Sequence, residues 1–141
     1  LAAGLTKEKI CSSLARFSLA NREKGSTSRI YLDKQLKKMQ IPASFISGYQ
    51  KEFVSDFSAA ASVIDGHSDT AIGEKAVVLT SGKLDFIPLL KVPMYLVMEA
   101  SSLDSPGFQA LIEITRSDEF KTALRGQNCY YTAHTGELSY L

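Results

Sequence analysis

The stretch Asn21-Arg22-Glu23-Lys24-Gly25-Ser26-Thr27-Ser28-Arg29 joins an apolar run to a helical pattern. The run Phe17–Ala20 predicts a short buried strand, and apolar residues recur at helical spacing after the stretch, at Leu32, Leu36 and Met39. The sequence therefore predicts a tight strand-to-helix turn. The helix should run from about Ser26 to Met39 and stop before Pro42, because the residue before a proline avoids helical angles.

The same turn has the composition of an anion-binding site. The first N–H groups of a helix lack intrahelical partners and lie at the positive end of its dipole, and hydroxyls and guanidinium groups add further donors. The candidate ligand-binding residues are Arg22, Gly25, Ser26, Thr27, Ser28 and Arg29, together with Ser55 near the start of a second predicted helix. The alternative is that Ser26 caps an ordinary turn and that the arginines pair with Glu23 or Asp33.

Composition sets limits on the class of protein. The 141 residues are enough for one domain or part of one, and a net charge of +1 gives no broad field for nucleic acid or membranes. Cys11 and Cys129 match no metal spacing, and neither His67 nor His134 has a Cys, Asp or Glu at ligand spacing, so we expect no metal site. No apolar run is long enough to span a membrane and no signal peptide is evident, which favours a cytoplasmic protein with reduced thiols. The chain begins with Leu1 rather than Met, so we expect a piece of a longer protein.

The remaining pattern alternates short strands with helices. A weak helix is predicted from Thr6 to Leu14, and later helices over Val54–Ile64, over Glu74–Leu79, from Ser105-Pro106 and from Ser117 to about Gly126. Strands are predicted at Phe45–Tyr49, Ser68–Gly73, Leu84–Leu90 and Val92–Met98. The stripe expected to be buried on the second helix is Phe53, Phe57, Ala60, Ala61 and Ile64.

This alternation predicts an α/β fold with a mainly parallel sheet. Ligands of such sheets bind at the carboxyl ends of the strands, where the helices begin. Two of these helix starts, near Ser26 and Ser55, should therefore face the same crevice.

The order of several short motifs resembles the periplasmic-binding-protein-like domain of the type II solute-binding superfamily. The motifs are Asn21–Arg29, Gly48-Tyr49, Ala59–Ala61, Gly66–Gly73 and Leu84–Leu89, with Leu103–Pro106 and Asp118–Phe120 fitting as well. Within cells that domain is attached to helix-turn-helix regulators and to molybdopterin-biosynthesis proteins. The resemblance implies two α/β lobes that close on a ligand, often an oxyanion such as molybdate or tungstate.

The resemblance also implies how the chain divides. Residues of about 14–91 would form most of the second lobe, and residues 92–141 would hold a crossing strand and the C-terminal helices of the first lobe. Half of the first lobe would be missing, so we expect a homo-oligomer or a swapped arrangement. The family usually has Gly where Thr27 stands and often Thr-His where Ser55-Asp56 stand, and an Asp56 carboxylate would weaken anion binding unless it points away.

These observations lead to three hypotheses. The first is a non-enzymatic ligand-binding (sensor) domain for a small anion, read out by an attached DNA-binding or biosynthetic domain or by a partner. The second is an interaction or assembly module whose pocket has degenerated. The third is an enzyme acting on a phosphorylated substrate, in which only Asp56 or Asp69 could serve as the base near Ser26.

Overall fold

The structure is a computed structural model that describes residues 13–139. The helix predicted over Thr6–Leu14 lies almost wholly outside the described residues. The described chain divides into two compact units, of which the first ends at Leu89 and the second begins at Leu90. None of the helices within residues 13–139 is long and apolar enough to cross a membrane.

The first unit is built on a small parallel sheet. Strand β1 (Leu19–Arg22) lies in the middle, between β2 (Glu52–Phe53) and β3 (Thr70–Ala71). Asn21 is opposite Glu52 in one pair, and Leu19 is opposite Thr70 in the other. The mixed α/β class and the parallel sheet predicted from the sequence are confirmed within the described residues.

Helices follow the strands of this sheet. Helix α1 (Thr27–Lys38) follows β1, α2 (Asp56–Ile64) follows β2, and α3 (Lys75–Ser81) follows β3. Short 3-10 helices occupy Leu14–Arg16 and Ala43–Phe45. The core lies where α1 covers β1, and its buried side chains are Leu14, Leu19, Leu32, Leu36 and Ile46.

The strand predicted at Phe45–Tyr49 is wrong. That stretch holds the end of the Ala43–Phe45 helix and a turn in which Gly48 has φ +80°, and the strand comes later, at Glu52–Phe53. A Cβ at Gly48 would overlap the Leu19 carbonyl oxygen of β1, so this close approach of two backbones requires glycine.

The buried stripe predicted for the second helix is wrong in part. Ala59, Ala60 and Ser62 are the buried residues of α2, whereas Phe57 is 62% exposed. Small side chains on this face let the helix pack closely on β1. The expected end of the helix is confirmed, since Asp65 is the C-cap and Gly66 follows with φ +73°.

The second unit contains two helices, α4 (Pro106–Arg116) and α5 (Asp118–Gly126), after a 3-10 turn at Ala100–Ser102. Both helix starts agree with the sequence prediction, with Pro106 at the first position of α4 and Ser117 capping α5 through Phe120 N–H.

The strands predicted at Leu84–Leu90 and Val92–Met98 are wrong. The chain from Leu84 to Glu99 is described throughout and forms neither helix nor strand. An isolated strand has no partner for its N–H and C=O groups, and Pro88 and Pro93 lack the N–H that a ladder needs.

Candidate functional site

Three strand-to-helix transitions meet at one edge of the sheet in the first unit. Because β1, β2 and β3 run parallel, their carboxyl ends all lie on the same side. The chain enters α1 from β1, α2 from β2 and α3 from β3 at this edge. The first N–H groups of three helices therefore point towards one region, which is where ligands of parallel sheets bind.

The turn into α1 is organised by Ser26. Its N–H donates to the Glu23 carbonyl at 3.3 Å, and its hydroxyl accepts the Arg29 N–H at 3.2 Å, so Ser26 is the N-cap. Gly25, with φ +93°, allows the tight turn before it. Among the described residues, no protein acceptor meets the N–H groups of Thr27 and Ser28.

Arg22 lies at the end of β1 and extends across the carboxyl end of β2. Its Nε donates to the Phe53 carbonyl at 3.0 Å and its Nη2 to the Val54 carbonyl at 3.2 Å. Its Nη1 forms an ion pair with the Asp56 carboxylate at the first position of α2. The sequence paired this arginine with Glu23 in its alternative reading, and that contact also exists, at 3.5 Å.

Arg29 is buried, with only 2% of its surface exposed. Its Nε donates to Asp33 at 3.0 Å, and its Nη1 donates to Glu52 at 2.9 Å and to the Arg22 carbonyl at 3.2 Å. The guanidinium also stacks on Tyr49, 4.1 Å from the ring centre. Burial lowers the pKa of Arg29, but hydrogen bonds with Tyr49, Glu52 and Asp33 outweigh it and the net shift is upward. The predicted alternative, an Arg29–Asp33 pair, is present.

Ser55 is the N-cap of α2. It forms a capping box with Ser58, in which the Ser55 hydroxyl accepts the Ser58 N–H at 3.0 Å and the Ser58 hydroxyl accepts the Ser55 N–H at 3.2 Å. Both predicted helix starts therefore have their serine hydroxyls already engaged in capping. Gly73, which lies just before α3, packs close to the Asp56 side chain, since a Cβ there would lie 3.3 Å from Asp56 Oδ1.

The structure thus brings Arg22, Ser55 and Asp56 together and places Gly25, Ser26, Thr27 and Ser28 at the same edge of the sheet. Sequence reasoning missed Asn21 and Glu52. Asn21 is buried, donates from Nδ2 to the Tyr49 carbonyl at 2.7 Å and accepts the Arg22 N–H at 2.9 Å. Its position at the end of a predicted strand, directly before an arginine, was the available signal.

Asp69 lies directly before β3, at the edge of the sheet opposite the candidate site, and its partner Ser18 lies directly before β1. Its carboxylate accepts the Ser18 N–H and the Ser18 hydroxyl, each at 2.7 Å. The backbone hydrogen bond first, and then the hydroxyl, lower the pKa of Asp69. The carboxylate that the enzyme hypothesis names as a possible base is therefore bonded to the segment before β1.

Within residues 13–139 no group of three or more His, Cys, Asp or Glu side chains is placed to hold a metal ion. His134 contacts Glu137 at 3.0 Å near the end of the second unit, and Cys129 is a free thiol. The site at the edge of the sheet therefore consists of backbone donors, hydroxyls and two arginines that are paired with carboxylates of the chain.

Comparison with known proteins gives a family match over most of the chain. The model of the PBP superfamily domain matches residues 6–116. An uncharacterized protein in the 5′ region of the ferredoxin 2Fe-2S gene of Clostridium pasteurianum is 34% identical over 109 residues, which cover 77% of this chain and 96% of that protein.

A second relative is longer. The uncharacterized protein YvgK of Bacillus subtilis is 32% identical over 124 residues, which cover 88% of this chain but only 39% of YvgK. No solved structure matches the chain significantly.

Proposed function

The chain belongs to the family of PBP superfamily domains, and on that premise we propose that it is a non-enzymatic domain that binds a small anion. The observation that carries this proposal is the convergence of three helix N-termini at the carboxyl edge of one parallel sheet. Such an edge presents the positive ends of the helix dipoles and, at the start of α1, the N–H groups of Thr27 and Ser28, which meet no acceptor among the described residues. Both features favour a negatively charged ligand.

The ligand in this proposal is held mainly by α1 and Arg22. The N–H groups of Thr27 and Ser28 and their hydroxyls supply donors, and Gly25 leaves the approach to them open, with no atom within 4 Å of where its Cβ would lie. Of the two arginines at this edge, Arg22 keeps more of its side chain exposed, 11% against 3% for Arg29. Arg29 contributes indirectly. Its guanidinium is bound to Asp33, Glu52 and the Arg22 carbonyl, and these bonds join the first turn of α1 to the ends of β1 and β2.

Asp56 sets the affinity. Its carboxylate forms the ion pair with Arg22 and adds negative charge beside the proposed site. A fully ionised oxyanion such as molybdate, tungstate or sulfate has no proton to donate to this carboxylate and must compete with it for Arg22. We therefore expect the native protein to bind such an anion with only modest affinity.

The wider role follows the family resemblance. In this proposal the sheet and its helices are most of a second lobe, and ligand binding changes lobe closure, which an attached domain or a partner reads as a signal. Molybdate and tungstate are the first ligands to examine.

The experiment is calorimetric titration of the native protein with molybdate, tungstate, sulfate and phosphate. Asp56→Asn should raise the affinity for the anion that binds by about tenfold, because it removes a like charge beside the ligand. Asp65→Asn makes the same change of charge at the opposite end of α2 and should leave the affinity unchanged. Absence of heat with all four anions, in both the native protein and Asp56→Asn, would rule out the proposal.

A second candidate function is an interaction module whose pocket has degenerated. One observation favours it: Arg22 and Arg29, the two guanidinium groups of the edge, both bind carboxylates of the chain itself. The same titration separates the candidates, because a degenerate pocket should bind no anion even after Asp56→Asn, while the fold remains intact by circular dichroism.

A further inference from the structure

The segment from Leu84 to Met98 leaves its backbone unpaired. Among the described residues, none forms a hydrogen bond with an N–H or C=O group of this segment. Its central side chains are also uncovered, with Met94 83% exposed, Tyr95 76% and Val97 84%. An exposed apolar segment whose donors and acceptors have no partners is able to pair with another strand.

Two residues of opposite charge, Lys91 and Glu99, flank this segment at equal distances from Tyr95. In an antiparallel pair of two copies centred there, Lys91 lies opposite Glu99 and Val92 opposite Met98. The ion pair occurs at both ends, because the two copies are related by a two-fold axis. In a register shifted by two residues, Lys91 would no longer lie opposite Glu99.

Pro93 determines which pairs carry the hydrogen bonds. A proline fits an antiparallel ladder where its nitrogen points away from the partner strand. Position 93 is then a non-hydrogen-bonded position, and so are positions 91, 95, 97 and 99. The carbonyl of Glu99 points away in this register, and it already accepts the Ser102 N–H at 3.0 Å within its own chain.

The alternation of side chains also suits this arrangement. Val92, Met94, Leu96 and Met98 share one face, which is entirely apolar, and Lys91, Pro93, Tyr95, Val97 and Glu99 share the other. The Lys91 ammonium lies over the Tyr131 ring, 3.4 Å from its centre, and Lys91 is an exposed residue.

We propose that the segment Lys91–Glu99 pairs with the same segment of a second copy of this chain as an antiparallel two-stranded ribbon centred on Tyr95. The charge complementarity of Lys91 and Glu99 across the two-fold axis selects a second copy over an unrelated partner. Because the ribbon is short, the dimer is weak and depends on concentration. This inference does not rest on the proposed ligand-binding function.

The test is sedimentation equilibrium over a wide range of protein concentration. The native protein should show a monomer–dimer equilibrium. Lys91→Glu and Glu99→Lys, each alone, place like charges opposite each other at both ends and should remain monomeric. An equimolar mixture of the two variants should form a heterodimer, because each new charge then faces its opposite. The double variant should regain self-association.

The register is tested by crosslinking. In a background with Cys11→Ser and Cys129→Ser, Tyr95→Cys should form an intermolecular disulfide readily, because the Cα atoms of directly opposed non-hydrogen-bonded residues are about 4.5 Å apart. Met94→Cys, which is opposite Leu96 and not opposite itself, is the matched control and should crosslink more slowly. Circular dichroism shows that each variant is folded.

A native protein that is monomeric at all concentrations would overturn the proposal. So would a mixture of the two charge variants that fails to associate, or equal crosslinking at positions 94 and 95.

Discussion

Asp69 illustrates how a single exposed carboxylate can stabilise a fold. The Ser18 N–H and hydroxyl donate to it directly before β1, and Asp69 N–H donates back to the Ser18 carbonyl at 2.9 Å. These bonds join the approach to β1 with the approach to β3, which are 51 residues apart in sequence. The ionised form of Asp69 is the one that accepts both donors.

This arrangement predicts a loss of stability in acid. The folded-state pKa of Asp69 is lowered from 3.8, so its contribution is fully present above that value and is lost as the pH falls through the folded pKa. The urea midpoint should therefore drop as the pH falls below about 3.8, and Asp69→Asn should flatten that drop.

The control for this prediction is Ser18→Ala, which removes the hydroxyl donor and should give an intermediate pH dependence. Ser44→Ala, a change at an exposed serine, should behave as the native protein. An identical pH profile for the native protein and Asp69→Asn would contradict the assignment.

The sequence predicts Arg29 as a ligand-binding residue, with a pair to Asp33 as the alternative, and it did not indicate all the partners that Arg29 has in the structure. The spacing to Asp33 made that pair visible in the sequence. The contacts with Glu52 and Tyr49 depend on the pairing of β1 with β2, which the sequence did not define.

At the scale of elements, α1 and α2 owe their starting points to serine caps. Ser26 and Ser55 both accept N–H groups from the third residue of their helix. Ser105 precedes α4 at the equivalent position but makes no side-chain cap bond. We therefore expect Ser26 and Ser55 to stabilise the starts of their helices more than Ser105 does, although all three directly precede a helix.

We expect Ser55→Ala to lower the free energy of unfolding by about 1 kcal/mol, because it removes the hydroxyl that accepts the Ser58 N–H, while the Ser55 N–H keeps its bond to the Ser58 hydroxyl. Ser105→Ala should change it by less than about 0.5 kcal/mol, since no side-chain cap bond is lost. Urea denaturation followed by circular dichroism measures both. Equal effects at the two positions would show that the capping box contributes nothing of its own.

The strands show the limits of periodicity. The apolar run before the turn was placed well, since Leu19 and Ala20 are fully buried in β1. The runs Leu84–Leu90 and Val92–Met98 have equal apolar character but no partner among the described residues, so they form no strand. A strand is a property of a pair of chain segments, and one sequence segment determines only half of it.

At the scale of the whole molecule, residues 84–98 belong to the longest run of described residues that lies outside helices, strands and turns. A backbone without hydrogen bonds fits a protease cleft, while residues in helices and sheet must first unfold. We expect chymotrypsin, at low protein concentration, to make its first cuts next to Tyr95 and Leu96, as read by mass spectrometry of the fragments.

Tyr95→Ser combined with Leu96→Ser removes these sites and should slow the first cleavage. A first cut within the sheet-and-helix unit that precedes Leu84 would contradict the expectation. The proposed ribbon adds a further outcome, because cleavage of the native protein should slow as its concentration rises.

The sequence by itself determined the α/β class, the helix starts at Ser26, Ser55, Pro106 and Ser117, and the family resemblance that the match over residues 6–116 supports. These features depend on local chemistry, such as capping hydroxyls, proline geometry and helical spacing. The tertiary structure decided which segments pair as strands and which acceptors the arginines meet. Arg22 and Asp56 are separated by 34 residues, and only the parallel alignment of β1 with β2 brings their charges together.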